Sequence, residues 1–174
     1  TVPMKVLWAP WRMAYIKRAR TPAGCIFCLK PRARRDAANL LLHRGKHGFI
    51  MMNLFPYNNG HLLIAPYRHV RTLEQLPDDV SLDLMRLTRL ALKVLRTAMQ
   101  PEGFNVGLNL GRAAGAGIDS HVHLHIVPRW NGDTNFMPLL GAVRVMPEHL
   151  HATYRKLRAR FEALTMPSKK RTRR

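Results

Sequence analysis

The sequence predicts an α+β domain in which a long helix packs on an antiparallel β-sheet and a second helix follows near the C-terminus. Three features support this fold class: short apolar runs separated by turn residues, one long amphipathic pattern, and a segment in which histidine alternates with apolar residues. The spacings between the strand patterns are too short for a series of parallel crossovers. A chain of 174 residues has room for one such core with terminal extensions.

The first two predicted strands form a hairpin. Apolar runs cover Phe49–Phe55 and His61–Ala65, and the segment between them, Pro56-Tyr-Asn-Asn-Gly60, is rich in turn-forming residues. Such a turn joins adjacent antiparallel strands. We therefore expect these two strands to be neighbours in the sheet.

Two helices and a third strand follow. Apolar residues recur every three or four positions over Asp78–Met99, and acidic residues occupy the first turn, where the helix dipole favours them. The period of two over Phe104–Leu110 predicts a strand, after which comes a glycine-rich loop. The helical criteria are met again over Pro147–Leu164.

Composition and charge narrow the class of protein. The chain is 47% apolar and 22% charged, and no apolar run approaches the roughly 18 residues of a membrane-spanning helix. Residues 1–20 show no signal peptide, and two cysteines at C-x-x-C spacing fit a reducing compartment, so we expect a cytoplasmic protein. The net charge of +19 lies mainly at the two ends, including a solvated tail at Ser168–Arg174. Such a field attracts polyanions without choosing among them, and we expect no specific nucleic-acid binding.

The most informative segment is His121-Val-His-Leu-His-Ile-Val127. In a strand, His121, His123 and His125 would line one face about 6 to 7 Å apart, while the apolar residues between them enter the core. The simplest interpretation is that the three histidines form the solvent-exposed face of a strand. Thr or Lys would suit such a face better than three titratable rings. Such histidines can be nucleophiles, proton donors or metal ligands.

The loop before this segment contains Asn109 and a series of glycines up to Gly117. Exposed backbone N–H groups in such a loop bind phosphate oxygens well. Taken alone, however, these glycines indicate no more than a flexible surface turn.

These residues together resemble the signature of the histidine-triad (HIT) superfamily, in the form that retains zinc. The similarity covers about residues 25–130, and the segments 7–15, 103–111 and 128–130 are most similar to the diadenosine tetraphosphate phosphorylase/hydrolase-like branch. We accordingly divide the chain into an N-terminal extension (1–24), a HIT domain (25–130), a C-terminal helical extension (131–167) and a basic tail (168–174). The residues that carry the resemblance are Cys25-Ile-Phe-Cys28, Asn53, Gly60-His-Leu-Leu-Ile-Ala-Pro66, His69, Asn109–Gly117, His121-Val-His-Leu-His125 and Pro128-Arg-Trp130.

The resemblance implies a nucleotidyl hydrolase or transferase acting on an adenosine nucleotide such as a dinucleoside polyphosphate. His123 would attack the α-phosphorus, and His125 would donate a hydrogen bond to a phosphoryl oxygen. The resemblance places Asn53 at the ribose; we add Asn109 and the N–H groups of Gly115 and Gly117 as phosphate ligands. Ile26, Phe27 and Leu54 would line the adenine or simply fill the core, and His61 is either catalytic or a hydrogen-bonded structural histidine.

A Cys-x-x-Cys pair with two imidazoles makes the ligand set of a closed structural zinc site. The resemblance gives these imidazoles as His69 and His121, so that Cys25, Cys28, His69 and His121 would hold a structural zinc ion. Without the resemblance, the two cysteines are equally compatible with a redox pair or with idle thiols.

Other functions remain open. A zinc-dependent nucleic-acid-binding module would leave the alternating histidines unexplained, whereas a non-catalytic nucleotide sensor would keep the same pocket. A nucleoside phosphoramidate or an adenylated small molecule is an alternative substrate. The loop has Ala116 and Gly117 where many HIT proteins carry Gln and Ser or Thr. Together with the positive charge of the chain, this difference favours phosphate as an acceptor in addition to water. Arg112 or Arg129 would then contact the phosphate anion. The resemblance also implies a homodimer.

Overall fold

The structure, a computed structural model, describes residues 24–133 and 148–165. It contains three helices, five strands and two short 3-10 turns in these ranges. In chain order they are α1 (Ile26–Arg32), β1 (Leu41–Arg44), β2 (Gly48–Met52), β3 (Leu62–Pro66), a turn at Leu73–Gln75, α2 (Asp78–Met99), β4 (Gly103–Leu108), a turn at Arg112–Ala114, β5 (Leu124–Arg129) and α3 (Leu150–Thr165).

The five strands form one antiparallel sheet in the order β1-β2-β3-β5-β4. The predicted hairpin is confirmed, since β2 pairs with β3 through residues such as Met52 opposite Leu62. On the other side, β3 pairs with β5, and β5 pairs with β4 up to Leu108 opposite Leu124. This order places β5, which contains His125, in the interior of the sheet.

Apolar side chains cover both faces of the sheet, which is why β2 and β3 are buried at every position. One face packs on α2 and α3 and forms the larger core, with residues such as Ile64, Leu95 and Ile126 fully buried. The opposite face forms a smaller cluster under α1, made of Phe27, Leu41, Phe49, Met51, Leu63 and Ala65. The α+β prediction, with a long helix on an antiparallel sheet and a C-terminal helix, is therefore correct.

Helix α3 covers the β1 edge of the sheet. The hydroxyl of Tyr154 donates a hydrogen bond to the carbonyl of Leu41 at 3.1 Å, and a guanidinium nitrogen of Arg158 donates to the carbonyl of Leu42 at 3.0 Å. These bonds satisfy carbonyls that an edge strand otherwise presents to solvent. The side chain of Phe161 is fully buried in the larger core, so α3 belongs to the same hydrophobic unit as the sheet.

The predicted element bounds agree closely with the structure in the long helix and less closely elsewhere. Helix α2 has the predicted ends, whereas α3 begins at Leu150 instead of Pro147 and ends one residue later. The histidine segment becomes a strand only at Leu124, so His121 and His123 precede the regular ladder. Nevertheless the side chains alternate as predicted, because Val122, Leu124 and Ile126 enter the larger core.

Two elements had no counterpart in the sequence prediction. Strand β1 has only four residues, too few for a clear alternation, and helix α1 has seven residues with Pro31 inside it and no side-chain cap. Both are held by tertiary contacts, because Phe27 of α1 and Leu41 of β1 are buried in the smaller cluster.

Several predictions concern residues outside the described ranges. The N-terminal extension up to residue 23, the segment 134–147 and the basic tail 168–174 are among them, and the division of the chain at residue 130 stays a prediction. Among the described helices, none combines the length and apolar character that crossing a bilayer requires.

We expect Phe161→Ala to lower the free energy of unfolding by about 3 to 5 kcal/mol, because it removes a fully buried aromatic ring and leaves a cavity between α3 and the sheet. Urea denaturation would measure the change. The control is Arg160→Ala on the exposed side of the same helix, for which we expect a change within about 0.5 kcal/mol. Equal effects of the two substitutions would contradict the conclusion that the contact between α3 and the sheet stabilises the fold.

Candidate active site and metal centre

The N-terminal end of α1 brings two thiols together with two imidazoles. Cys25 immediately precedes the helix and Cys28 lies in its first turn, where its N–H donates to the Cys25 carbonyl at 3.0 Å. The Nδ1 atom of His121 lies 3.3 Å from the Cys25 sulfur, and Nδ1 of His69 lies 3.4 Å from the Cys28 sulfur. The four ligand atoms all lie within 4.8 Å of one another, so the residues can hold a metal ion.

Hydrogen bonding orients His121 for a ligand role. Its Nε2–H donates to the carbonyl of Pro66 at 3.0 Å, which leaves the lone pair of Nδ1 directed at the thiols. Burial lowers the pKa of His121 to about 4 despite this bond, so the ring is neutral near pH 7, as a ligand must be. Burial also raises the pKa of the Cys25 thiol, so its thiolate needs a nearby cation.

The donor set fits zinc. Two thiols and two imidazoles form the Cys2His2 combination of closed tetrahedral sites, and a softer sulfur-containing set of this kind disfavours magnesium or calcium. The Nδ1 atoms of His69 and His121 are only 3.2 Å apart, a separation that a shared cation makes favourable. The prediction of a structural zinc ion at Cys25, Cys28, His69 and His121 is therefore supported by the geometry.

The next histidine, His123, is held by the main chain of the first. Its Nδ1–H donates to the carbonyl of His121 at 2.8 Å, and its ring packs on Phe27 with centroids 4.6 Å apart. Nε2 is then the unprotonated nitrogen, and burial lowers the pKa of the ring, which keeps that nitrogen neutral. An imidazole fixed in this tautomer is a competent nucleophile near neutral pH.

A chain of hydrogen bonds sets the tautomer of His125. The N–H of Tyr57 donates to Nδ1 of the fully buried His61 at 3.0 Å, so His61 carries its proton on Nε2. That Nε2 lies 2.9 Å from Nδ1 of His125 and donates to it. His125 therefore carries its own proton on Nε2, and burial lowers its pKa to about 4, so it is a neutral donor near pH 7.

The Nε2–H of His125 is a buried hydrogen-bond donor beside Gly107 of β4. Its Nε2 is buried and has no hydrogen-bond partner among the described residues. Gly107 lies opposite His125 in the β4–β5 ladder, and a Cβ atom there would meet nothing within 4 Å. A buried donor without a partner costs free energy, and an incoming acceptor such as a phosphoryl oxygen removes that cost.

Comparisons with known proteins agree with this site. The family model described as the HIT domain matches residues 34–132. The chain is 42% identical over 158 residues to a Mycobacterium tuberculosis protein named AP-4-A phosphorylase, covering 87% of this chain and 81% of that protein.

This chain belongs to the HIT family.

Two more distant relatives show the breadth of the HIT family. An adenosine 5'-monophosphoramidase of Schizosaccharomyces pombe is 29% identical over 129 residues, covering 74% of this chain and 92% of that protein. The solved structure of a Zn-bound histidine triad family protein from Mycobacterium smegmatis matches with a TM-score of 0.65 at 24% identity, covering 81% and 95% of the two chains. The structural match confirms the HIT fold.

Of the residues predicted at the nucleoside, Asn53 lies beside His61. The Oδ1 atom of Asn53 accepts from the Phe55 N–H at 3.0 Å, and its amide nitrogen lies 3.3 Å from Nδ1 of His61. Ile26 and Leu54 are 38% and 42% exposed, so their side chains are available to a ligand. Phe27 is buried and packs on the histidines, which makes it part of the core.

The residues predicted at the phosphates lie where β4 leaves the sheet. The β4–β5 ladder ends at the pair Leu108–Leu124; Asn109 follows Leu108 in the chain, and His123 precedes Leu124. The Asn109 amide is close to Gly115, since a Cβ added to that glycine would lie 3.9 Å from it. The Gly115 N–H donates to the carbonyl of Arg112 at 2.9 Å, whereas the Gly117 N–H has no such partner among the described residues.

The two arginines predicted as anion contacts lie in different places. Arg129 follows the histidines on β5, at the far end of the strand, where two of its guanidinium nitrogens donate to Asp133 at 2.7 and 2.8 Å. Arg112 lies in the glycine-rich loop, with its Nε 3.3 Å from a carboxylate oxygen of Asp119. Only Arg112 is close in the chain to the phosphate loop.

Sequence reasoning missed two main-chain groups that fix the histidines. The carbonyl of Pro66 sets the tautomer of His121, and the N–H of Tyr57 sets that of His61. The Tyr57 ring also stacks on His125, with centroids 5.9 Å apart. The turn signal at 56–60, directly before His61, was the available indication, but side-chain chemistry does not reveal which backbone groups a turn presents.

We expect purified protein to contain near one zinc per chain, and Cys25→Ser or His69→Ala to lose it. Since metal-binding free energy is folding free energy, loss should lower Tm by at least about 5 °C. Elemental analysis and thermal unfolding are the measurements. The control is His151→Ala, an exposed histidine on α3. Metal-free protein as stable as the metal-loaded protein would refute a structural zinc site.

Proposed function

We propose that this HIT protein cleaves a dinucleoside polyphosphate at an α-phosphate through a nucleotidyl-histidine intermediate on His123, with water or phosphate as the acceptor. The observation that carries the proposal is the fixed tautomer of His123, which leaves Nε2 unprotonated beside the buried donor of His125. The 42% identity to a protein named AP-4-A phosphorylase supports the substrate class.

In the first step the lone pair of His123 Nε2 attacks the α-phosphorus. The bond between that phosphorus and the bridging oxygen breaks, and the leaving nucleotide takes the electron pair. The Nδ1–H of His123 keeps its bond to the carbonyl of His121, which stabilises the imidazolium character that develops on the ring. In the second step an oxygen of water or phosphate attacks the same phosphorus, and His123 Nε2 is the leaving group.

His125 acts on the phosphoryl group as a hydrogen-bond donor. Its Nε2–H contacts a non-bridging oxygen as negative charge accumulates there. His61 is a positioning residue, because it acts through His125 by holding that ring in the donor tautomer at 2.9 Å. Asn109 and the N–H groups of Gly115 and Gly117 complete the phosphate contacts; for Gly115 this requires its N–H to be shared with Arg112.

Asn53 binds the ribose hydroxyls, and Ile26 with Leu54 forms apolar walls for adenine. The support is position: Asn53 contacts His61, and both apolar side chains are exposed. Cys25, Cys28, His69 and His121 would hold the metal ion, which would contribute folding free energy and restrain His121. Because the two thiols must stay reduced to bind it, we place the protein in the cytoplasm.

A second candidate is hydrolysis of a nucleoside phosphoramidate. The S. pombe relative is named as an enzyme of this kind, and His123 would attack the same phosphorus with an amine as the leaving group. A nucleotide-binding sensor would use the same pocket, but it would not need a nucleophile held in one tautomer.

We expect His123→Ala to reduce cleavage of diadenosine tetraphosphate by at least about a thousandfold, because the variant lacks the imidazole on which the proposed intermediate forms. Mass spectrometry after a neutral denaturing quench should locate adenylate on His123 in the wild-type protein. Phosphate at millimolar concentration should convert part of the product from AMP plus ATP to ADP plus ATP.

The same assay separates the alternatives. Unchanged turnover in His123→Ala, or adenylate on another residue, would overturn the mechanism. Cleavage of a phosphoramidate without cleavage of the dinucleotide would favour the second candidate, and nucleotide binding without turnover of either would favour the sensor. Product ratios indifferent to phosphate would indicate a simple hydrolase.

Two copies of the chain associate, and the exposed edge of β4 supports this part of the proposal. Strand β4 is the last strand in the sheet order and its side chains are largely exposed, including Val106 at 45%. The opposite edge is covered by α3, so β4 is the edge whose backbone groups can pair with a second chain.

We expect light scattering at micromolar concentration to give twice the monomer mass, and Val106→Asp to shift it to the monomer by placing a charge at the shared edge. Leu82→Asp is the matched control, because Leu82 is similarly exposed at 52% but lies on α2. A monomeric wild-type protein, or a dimer unaffected by Val106→Asp, would refute association through β4.

A further inference from the structure

Two arginines from different parts of the chain meet on one carboxylate beside the glycine-rich loop. Arg71 Nη2 and Arg112 Nε both lie 3.3 Å from the same oxygen of Asp119. The side chain of Asp119 is 22% exposed, whereas those of Arg71 and Arg112 are 65% and 87% exposed. Asp119 thus forms the inner part of the cluster, and the two guanidinium groups face outward.

This cluster carries a net charge of +1, because one carboxylate balances only one of the two guanidinium groups. Arg112 contacts Asp119 through Nε, and its two terminal nitrogens form no hydrogen bond or ion pair with another described residue. A guanidinium presents five donors in a planar fork that fits phosphate oxygens in pairs. The cluster therefore has both the charge and the donors to bind a phosphate dianion.

The position of the cluster relates it to the reacting phosphorus. Asp119 lies two residues before His121, whose carbonyl holds the nucleophile His123 at 2.8 Å. Arg112 begins the 3-10 turn that leads to Gly115, next to the Asn109 amide. On the other arm, Arg71 follows Val70, whose carbonyl accepts the N–H of Val122 at 2.7 Å. Arg112 thus lies in the glycine-rich loop, and Arg71 follows a residue bonded to the histidine segment.

We infer that Arg71 and Arg112, tethered by Asp119, form a phosphate subsite for the group that leaves from or attacks the α-phosphorus. The inference rests on the proposed function. The subsite first binds the phosphate next to the scissile bond in the leaving nucleotide, and then binds inorganic phosphate after that nucleotide departs.

The subsite sets the choice of acceptor. When monohydrogen phosphate attacks the nucleotidyl group, a phosphorus–oxygen bond forms, the bond to His123 Nε2 breaks, and the electron pair returns to the ring. The proton of monohydrogen phosphate is at first carried by the terminal phosphate of the nucleoside diphosphate. It then dissociates to solvent near pH 7. Water needs no anion subsite, so binding at Arg71 and Arg112 favours phosphate over water.

The test uses the full chain and compares Arg71→Gln/Arg112→Gln with Arg86→Gln/Arg89→Gln. The control pair lies exposed on α2 and removes the same charge from the chain, which separates a local subsite from the general positive field. With diadenosine tetraphosphate and millimolar phosphate, the ADP:AMP product ratio should fall at least tenfold in the Arg71/Arg112 variant and stay within about twofold in the control. Arg112→Lys in place of Arg112→Gln should retain only part of the wild-type ADP:AMP ratio, because Lys keeps the positive charge but lacks the paired donors of the guanidinium group.

Two further measurements test whether the ligand is a phosphate group, and one of them does not depend on catalysis. The Arg71/Arg112 variant should lose more in kcat/KM for the dinucleotide than for adenosine 5'-phosphoramidate, whose leaving group has no phosphate. Without any nucleotide, phosphate should raise Tm of the wild-type protein above that in chloride of equal ionic strength, and the Arg71/Arg112 variant should lose most of this rise.

Unchanged product ratios together with an unchanged phosphate effect on Tm would overturn the subsite. Equal losses in the control pair would also overturn it, since the charge would then act from a distance. A wild-type protein that cleaves neither substrate would refute the proposed function, but the phosphate effect on Tm would still decide whether these arginines bind the anion.

Discussion

The organisation of the site depends on the two hydrogen bonds of His121. Its Nε2–H is bound to the carbonyl of Pro66 on β3, which turns Nδ1 towards the thiols of α1. Its own carbonyl accepts the Nδ1–H of His123, which leaves the other nitrogen of that ring unprotonated. A displacement of this one residue would therefore disturb the candidate metal ligands and the proposed nucleophile together. Phe27 strengthens this link, because its ring contacts both histidines from a helix that begins between the two cysteines.

Backbone groups assign a different task to each histidine, although the four rings are chemically identical. The carbonyl of Pro66 leaves the lone pair of His121 on Nδ1, beside the thiols, and the His121 carbonyl leaves that of His123 on Nε2, where the proposed mechanism uses it. The Tyr57 N–H makes His61 a donor towards His125, which in turn carries its own proton on Nε2, as the proposed mechanism requires. Each ring can be neutral in only one of its two tautomers without losing a bond, so the fold selects the tautomers that the proposed ligand, nucleophile and donor need.

Much of this arrangement was predictable from the sequence, because it follows from periodicity. The alternation of histidine with Val122 and Leu124 requires that the histidines share a face, and the ends of α2 follow from its apolar pattern and Pro101. The two Cys residues and His69 could be grouped only through the family resemblance. The carbonyl of Pro66, the N–H of Tyr57 and the pairing of Arg71 with Asp119 could not be predicted, since they depend on long-range packing and on backbone groups that every residue possesses.

Buried histidines are uncharged near pH 7, whereas exposed arginines keep their charge, so the two residue types contribute differently to nucleotide binding. Burial lowers the pKa of His123 and brings that of His125 to about 4, so near pH 7 both rings are uncharged and His123, the proposed nucleophile, retains its lone pair. A neutral row cannot attract a polyanionic nucleotide by charge, and its donors act only at hydrogen-bond distance. The attraction must then come from groups whose charge is unaffected by burial. Arg71 and Arg112 meet this requirement, because they are exposed, permanently charged and fixed by Asp119 two residues before the histidine row.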